Sequence, residues 1–371
     1  MHVLNIMRVA AVIMAFGGGT GTARADWSFV MLGDTRGDGP TTTTGVSLHL
    51  NTIAQKIALV NPDLVLMAGD LINGPDIPTN SSLSYTQQYS NWQTAMAPIT
   101  ASNIALYCVR GNHDNDRSAP ELKQAYYDAV GAFMPTNGPT NGATDDQRGF
   151  TYSFSYNNAT FFALDQYFYY DKTSESGYHS IDQSWLDQQL HAASTPHKIV
   201  MAHEPVYMTT GESGEEHFFG TDAEAETRRT NFWNSLGNNG ARLYLCGHVH
   251  VVSVGLINDH NGTGIYQLTA GNGGAPFEPI FTNHDTGVSV LYTNGSNFGF
   301  AYATVGDIAM TINYYLLNKD DNSWSVAPYT TVIKTVPEPS SAALLAVVAG
   351  FFVWSRSRSA RRPREVHQIS A

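Results

Sequence analysis

The stretch IALYCVRGNHD, residues 104–114, places the motif Gly111-Asn112-His113-Asp114 directly after an apolar run that predicts a strand. A Gly-Asp pair is common in turns, but Gly-Asn-His-Asp after a strand is a much more specific pattern. Four further stretches place an Asp or a His beside a glycine or at the end of an apolar run. They are Gly33-Asp34, Gly69-Asp70, His203 and Gly247-His248-Val249-His250. Chance is a poor explanation for all five in this order.

The segments around these motifs alternate between predicted strands and predicted helices. The first strands are apolar runs at residues 28–32, 64–67, 104–109, 198–202 and 242–245, and the helices lie near residues 46–59, 85–96, 121–133, 184–191 and 223–236. Such alternation predicts crossover connections and a largely parallel sheet. Further β-rich stretches lie at residues 151–156, 160–164, 251–257, 264–269, 298–305, 309–317 and 324–331. We predict one α/β domain, with two packed mixed β-sheets and helices outside them.

Nearly every candidate ligand follows directly on a predicted strand. Functional groups gather beyond the carboxyl ends of the strands in open α/β sheets, so these residues agree with one shared site. A hydrolytic two-metal centre holds its ions about 3.5–4 Å apart, with a carboxylate between them and oxygen and imidazole ligands around them. The two imidazoles of His248 and His250 are two residues apart, which on an extended segment puts both on the same side. Slight twisting there would let them serve neighbouring ions.

With these motifs in this order, the chain resembles the calcineurin-like metallophosphoesterases, including the purple acid phosphatase branch, over roughly residues 27–331. Supporting similarity lies at residues 150–166, Trp185-Leu186, residues 203–207 and residues 269–276. The resemblance implies a four-layer metallophosphoesterase sandwich of two mixed β-sheets flanked by helices. It also implies two divalent or trivalent metal ions, for which Fe, Mn and Zn are plausible.

The resemblance implies a role for each motif residue. Asp34, Asp70 and His250 would bind the first metal, and Asp70 would bridge to a second metal completed by Asn112, His203 and His248. His113, oriented by Asp114, would lie near the leaving group and would protonate or polarise its oxygen. A metal-held hydroxide would attack phosphorus in line, while the metals and Asn112 would stabilise the phosphoryl oxygens.

The first metal site departs from the family pattern at two positions. Many members have Asp-x-His in the first motif, but Asp34-Thr35-Arg36 puts a cation in the place of that histidine. The purple branch has a tyrosine three residues after the bridging Asp, where this chain has Asn73. Asn73 could supply a weak oxygen ligand, water could fill the gap, or the site could be partly empty. Arg36 could bind a substrate phosphate oxygen, or it could form a structural salt bridge.

The two ends of the chain predict export. Residues 1–25 have a basic Arg8, a short apolar run and an Ala23-Arg24-Ala25 cleavage site, as in a signal peptide. The phosphoesterase domain is then expected over residues 26–335. Residues 336–364 resemble a PEP-CTERM sorting tail, with a Pro-Glu-Pro motif, an apolar segment and a basic end, and residues 365–371 form a short polar end. The resemblance implies processing by an exosortase after signal peptidase, whereas a plain membrane anchor is the alternative.

Charge and cysteine content limit the partners. The net charge is −12, and removal of both ends takes away seven basic and two acidic residues, which leaves about −17. Such a surface repels polyanions, so we predict no nucleic-acid partner. A charged fraction of 14% is low and suits a protein outside the cytoplasm. For Cys108 and Cys246, two buried thiols in adjacent strands are favoured over one disulfide bridge.

The sequence therefore predicts an exported metallophosphoesterase that hydrolyses a phosphate ester at a dinuclear centre. The expected location is the periplasm, cell surface or extracellular matrix of a Gram-negative bacterium, with transient membrane association through the tail. A phosphodiesterase or nucleotidase with the same site is one alternative. A non-catalytic surface or matrix protein with a degenerate first metal site is another.

Overall fold

A computed structural model describes residues 26–38, 42–77, 83–116, 119–140, 146–168, 180–210, 218–220 and 224–335. The predicted signal peptide (residues 1–25) and the predicted sorting tail and polar end (residues 336–371) lie outside the described residues. None of the helices within the described ranges has the length and apolar character needed to cross a membrane.

The first of two mixed sheets contains the strands that carry the first three motifs. Its strands are β1 (Trp27–Leu32), β2 (Leu64–Met67), β3 (Ala105–Cys108), β11 (Phe298–Val305), β12 (Ala309–Leu317) and β13 (Trp324–Lys334). The order is β13-β12-β11-β1-β2-β3. β1, β2 and β3 run parallel, and β11 pairs antiparallel with β1. The three motif-bearing strands therefore end at the same edge of the sheet.

The second sheet carries the remaining motifs. Its strands are β4 (Tyr152–Tyr156), β5 (Ala159–Ala163), β6 (His197–Met201), β7 (Leu243–Cys246), β8 (Val252–Asn258), β9 (Gly264–Ala270) and β10 (Val288–Asn294). The order is β10-β8-β9-β7-β6-β5-β4, and β5, β6, β7 and β9 are parallel neighbours. His203 and His248 thus leave adjacent parallel strands.

In the part of the chain that the structure describes, six α-helices flank the sheets: α1 (Leu50–Val60), α2 (Tyr85–Ala95), α3 (Ala97–Ala101), α4 (Pro120–Ala129), α5 (Gln183–Ala192) and α6 (Ala225–Asn238). In α1, Leu50, Ile53, Ala54 and Ile57 recur at helical spacing, and all four are buried. The helix ends at Asn61, which adopts a left-handed conformation and donates its N–H to the Ile57 carbonyl. This apolar stripe explains why the segment leading from the first motif to β2 is helical.

Successive side chains of β5 pack on opposite faces of the second sheet. Phe161 of β5 packs into a large core shared with the first sheet, where its ring centroid lies 5.5 Å from that of Phe29. The next residue, Phe162, joins a separate cluster with Trp185 of α5 and Trp233 of α6. The sheets therefore pack face to face with helices outside, which confirms the predicted fold class.

Several sequence-based details were wrong. β10 was missed because it is a largely exposed edge strand without a clear apolar pattern. The helix predicted at residues 121–133 ends at Ala129 and is followed by a short 3-10 turn. Cys108 and Cys246 are free and buried, as favoured, but their strands β3 and β7 lie in different sheets rather than side by side.

Candidate metal centre

The five motifs meet where the carboxyl ends of the central strands approach each other. Backbone hydrogen bonds join these ends: the Gly33 N–H donates to the Ala270 carbonyl of the second sheet at 2.7 Å, and the Gly247 N–H donates to the His203 carbonyl at 2.7 Å. One ligand atom each from Asp34, Asp70 and His203 lies within 4.8 Å of the other two. The structure thus brings residues from both sheets into one buried group.

Three of the predicted ligands have strained backbone conformations. Asp34, Asp70 and His248 have φ angles of 58°, 52° and 70°, in the left-handed region that non-glycine residues seldom adopt. Such a conformation costs about 1–3 kcal/mol and persists only where the surroundings impose it. The segment around His248 and His250 is consequently a tight turn rather than the predicted extended stretch.

Four of the predicted ligand atoms are joined by a row of short distances. Asn112 Oδ1 lies 3.0 Å from His203 Nε2 and 3.1 Å from His248 Nδ1, and His203 Nε2 lies 3.4 Å from Asp70 Oδ1. Bond lengths of about 2.0–2.1 Å around a tetrahedral ion place its ligands about 3.4 Å apart. Three neighbouring pairs among the residues predicted for the second metal therefore have the spacing of ligands on one ion.

Hydrogen bonds fix the orientation of His203. Its Nδ1 lies 2.7 Å from the Ala68 carbonyl, and because a carbonyl only accepts, Nδ1 carries a proton and Nε2 is the nitrogen that would bind an ion. Its backbone N–H donates to Gln166 Oε1 at 2.6 Å. Nε2 therefore faces the oxygens of Asn112 and Asp70, where a bound cation would take the place of a proton on this nitrogen.

Gln166 is a positioning residue that the sequence reasoning did not single out. Its Oε1 also accepts from the Glu204 N–H at 2.7 Å, and the side chain is fully buried. The available signal was a polar amide just beyond the apolar strand β5. Because amides in such positions have many structural roles, that signal pointed to no particular one.

The residues predicted for the first metal are arranged around an arginine. His250 Nε2 lies 3.7 Å from Asp34 Oδ1, but it also lies 3.4 Å from the NH2 nitrogen of Arg36. Arg36 Nε lies 3.5 Å from Asp70 Oδ2, the oxygen that would face the first ion. Two of the residues predicted for the first metal, Asp70 and His250, therefore lie within 3.4–3.5 Å of the Arg36 guanidinium.

Asn73 holds the loop that follows Arg36. Its Oδ1 accepts a hydrogen bond from the Gly37 N–H at 2.6 Å. Asn73 therefore positions a loop, and its role as a weak oxygen ligand of the first metal stays a prediction.

His113 lies beside the ligands, but Asp114 does not orient it as predicted. His113 Nδ1 lies 3.1 Å from the Asn73 carbonyl, and its Nε2 lies 3.8 Å from Asp70 Oδ2. The Asp114 carboxylate accepts hydrogen bonds from Leu71 N–H, Gly111 N–H and Tyr89 OH. Asp114 therefore ties the ends of β2 and β3 together, and a backbone carbonyl orients the imidazole.

Burial and neighbouring charges shift the pKa values of the buried ligands in different directions. Burial and the neighbouring Asp70 carboxylate raise the pKa of Asp34 well above its usual value. Burial also opposes ionisation of Asp70, but the charges of His113, His203 and Arg36 outweigh it and lower that pKa. Burial and the Arg36 charge lower the pKa of His250 to about 3, so this imidazole is neutral and available as an acceptor.

The fold and the ligand set together define an α/β protein of the metallophosphoesterase class. A sequence model of the calcineurin-like phosphoesterase family matches residues 29–252, which is more than half of the chain. The chain belongs to this family. The predicted enzyme class, phosphoric ester hydrolase, is the class of that family.

Curated relatives match over part of their length. The serine/threonine-protein phosphatase CPPED1 of Mus musculus is 27% identical over 210 residues, and that of Rattus norvegicus is 25% identical over 209 residues. Each match covers 56% of this chain and 56% of the relative. The chain thus spans about half the length of the curated relatives it matches.

Three solved structures illustrate the shared fold. A purple acid phosphatase, PPD1, from yellow lupin (Lupinus luteus) seeds matches with a TM-score of 0.54 at 18% identity, covering 84% of this chain and 54% of that chain. PhoD matches with a TM-score of 0.57 at 15% identity, covering 85% and 71%. GAP50, the anchor in the inner membrane complex of Plasmodium, gives 0.52 at 14% identity, covering 88% and 95%. At these identities the likeness shows the fold alone.

Proposed function

We propose that this chain is an exported, metal-dependent phosphoesterase that hydrolyses a phosphate ester. The observation that carries the proposal is the row of short distances that joins His248 Nδ1 to Asn112 Oδ1, Asn112 Oδ1 to His203 Nε2, and His203 Nε2 to Asp70 Oδ1. A metal ion bound there would polarise a phosphoryl oxygen and lower the pKa of a water molecule. Two ions are what the family resemblance implies, and the contacts of Arg36 with Asp70 and His250 stand against an ion in the first metal site.

His113 is proposed to act on the leaving group. Because the Asn73 carbonyl accepts from Nδ1, the protonated imidazole has only Nε2–H to donate toward the substrate. Nε2 lies 3.8 Å from Asp70 Oδ2, so it borders the ligand set without belonging to it. Proton donation from such a group contributes about 10²–10⁴-fold, most where the leaving alkoxide is a poor one.

Two further groups are proposed to bind the transferred phosphoryl group. Asn112 directs its Oδ1 at the ligand set, so its amide NH2 is the part that can donate to a phosphoryl oxygen. Arg36 is a permanent cation whose planar fork suits a phosphate. Together they would stabilise negative charge that develops in the transition state.

A neighbouring cavity is proposed to receive the leaving group. It has a volume of about 460 Å³ and is lined by His49, Pro276, Phe277, Phe298 and Lys319, among others. It adjoins the site because the Pro276 carbonyl accepts from His250 Nδ1 at 2.8 Å. The rings of Phe277 and Phe298 stack with centroids 4.4 Å apart, which favours an aromatic or otherwise flat leaving group.

The proposal is tested by hydrolysis of p-nitrophenyl phosphate, bis(p-nitrophenyl) phosphate and a nucleoside monophosphate by the metal-loaded protein. We expect turnover of at least one ester, and a loss of at least about 100-fold in His248→Ala, because a metal ligand is removed. His284→Ala removes an exposed histidine outside the ligand set and is the matched control. Absence of turnover on all three esters with metal bound would overturn the proposal.

The same panel separates the alternatives. Preference for the diester or for the nucleotide would identify a phosphodiesterase or a nucleotidase with this site. A non-catalytic surface or matrix protein is a second candidate, favoured by the contact of Arg36 with Asp70 in the first metal position. Bound metal without turnover of either ester class would favour that candidate.

Export is proposed from the sequence of residues 1–25 and 336–364. Signal peptidase and an exosortase would process the two ends, with transient membrane association through the tail, and no nucleic acid would bind. Cell fractionation with intact mass analysis tests this. We expect an exported chain that begins at Asp26 and lacks the basic tail, whereas an unprocessed chain in the cytoplasm would refute it.

A further inference from the structure

We infer that the Arg36 guanidinium takes the place of the first metal ion, so that the centre contains one bound metal ion and one cationic side chain. The inference rests on the metal site of the proposed function, but it does not require that the protein hydrolyses a phosphate ester. It departs from the two-ion arrangement that the family resemblance implies.

The contacts of Arg36 fall on the atoms that a first ion would use. Its Nε lies 3.5 Å from Asp70 Oδ2, while the other oxygen, Oδ1, belongs to the four-ligand set of the proposed ion. Its NH2 nitrogen lies 3.4 Å from His250 Nε2, and His250 Nδ1 is already occupied by the Pro276 carbonyl at 2.8 Å. Asp70 would therefore lie between the Arg36 guanidinium, an ion pair at 3.5 Å without a hydrogen bond from Nε, and an ion bound at Oδ1.

The charge of the site calls for a cation at this position. Asp34 and Asp70 are 0% and 1% exposed, and two buried carboxylates so close together are unfavourable without positive charge beside them. The Arg36 side chain is only 14% exposed and stays charged at any ordinary pH. A guanidinium at this place supplies positive charge without a metal ion having to bind.

The backbone on both sides holds Arg36 in place. The N–H groups of Thr35 and Arg36 both donate to the Asp70 carbonyl, at 2.9 and 3.1 Å. The Gly37 N–H donates to Asn73 Oδ1 at 2.6 Å. Asn73 thus serves the arginine at the position where the purple branch has a tyrosine. The two departures from the family pattern, Arg36 and Asn73, therefore act together, because Asn73 holds the backbone that carries Arg36.

Metal stoichiometry tests the inference. Wild type, Arg36→His and Arg36→Lys are loaded with excess Mn²⁺, freed of unbound ion and analysed for metal per chain by mass spectrometry. We expect one ion in wild type and in Arg36→Lys, which keeps a cation, and two in Arg36→His, which supplies a neutral ligand beside Asp34. The electron paramagnetic resonance spectrum should show an isolated ion in the first two proteins and a coupled pair in the third. Thermal unfolding checks that all three are folded.

The outcomes are distinct. Two ions in the wild type, or only one in folded Arg36→His, would overturn the inference and leave phosphoester hydrolysis standing. No bound ion in any of the three proteins would overturn the proposed function and this inference with it.

Discussion

Gly111→Ala is the substitution that most sharply tests how the strand ends position the ligands. A Cβ at this residue would lie 2.1 Å from Asp70 Oδ1 and 2.4 Å from the Asp70 backbone nitrogen. Ordinary contacts between heavy atoms are about 3.5 Å, so Asp70 would have to retreat by roughly 1 Å or more. The φ angle of Gly111 is −106°, which alanine adopts freely, so the effect is a steric one.

We expect kcat/KM for p-nitrophenyl phosphate to fall by about 100-fold, because a displacement of about 1 Å costs about that much in an organised site. Overpacking should also lower the free energy of unfolding by about 1–3 kcal/mol, measured with urea. Gly306→Ala is the matched control, since its nearest neighbour would lie at 3.2 Å and away from the ligands. A folded Gly111→Ala protein with kcat/KM within about twofold of wild type would refute the reasoning.

Three other predictions concern burial around the site. Asp165→Asn removes the negative charge 2.7 Å from the fully buried Arg110 guanidinium and should lower the free energy of unfolding by about 3–5 kcal/mol in urea; no loss would contradict this. Burial raises the pKa of Cys108 well above its usual value and that of Cys246 to about 12, so both thiols should react with a disulfide reagent only after denaturation. Rapid native reaction, or no thiol in the denatured chain, would contradict it. Phe277→Ala should raise KM about 2–10-fold for an aryl phosphate but not for methyl phosphate. Equal effects on both substrates would show that the cavity does not bind the leaving group.

The fold could be predicted from sequence where burial leaves a periodic pattern. The strand at Leu64–Met67 is apolar at every position because both of its faces are covered, and α1 shows its buried stripe directly. β10 could not be predicted in this way, because an edge strand with mostly exposed side chains has no pattern to detect. The sheet in which a strand lies was also beyond reach, as the placement of Cys108 and Cys246 shows.

The site could be predicted as a set of residues more readily than as a set of contacts. Spacing after strands indicated Asp70, Asn112, His203 and His248, and the structure brings their ligand atoms together. The partner of His113 could not be predicted, because it is a backbone carbonyl, which every residue has. The left-handed conformation of His248 results from tertiary contacts that sequence spacing does not reveal.

The direct test of the central claim is hydrolysis of p-nitrophenyl phosphate by metal-free protein titrated with Mn²⁺. The four-ligand set of Asp70, Asn112, His203 and His248 predicts no turnover without metal. Activity should then rise linearly to a plateau at one ion per chain, and His248→Ala should show no such rise. Turnover by the metal-free chain that added ion leaves unchanged would contradict a metal-dependent phosphoesterase.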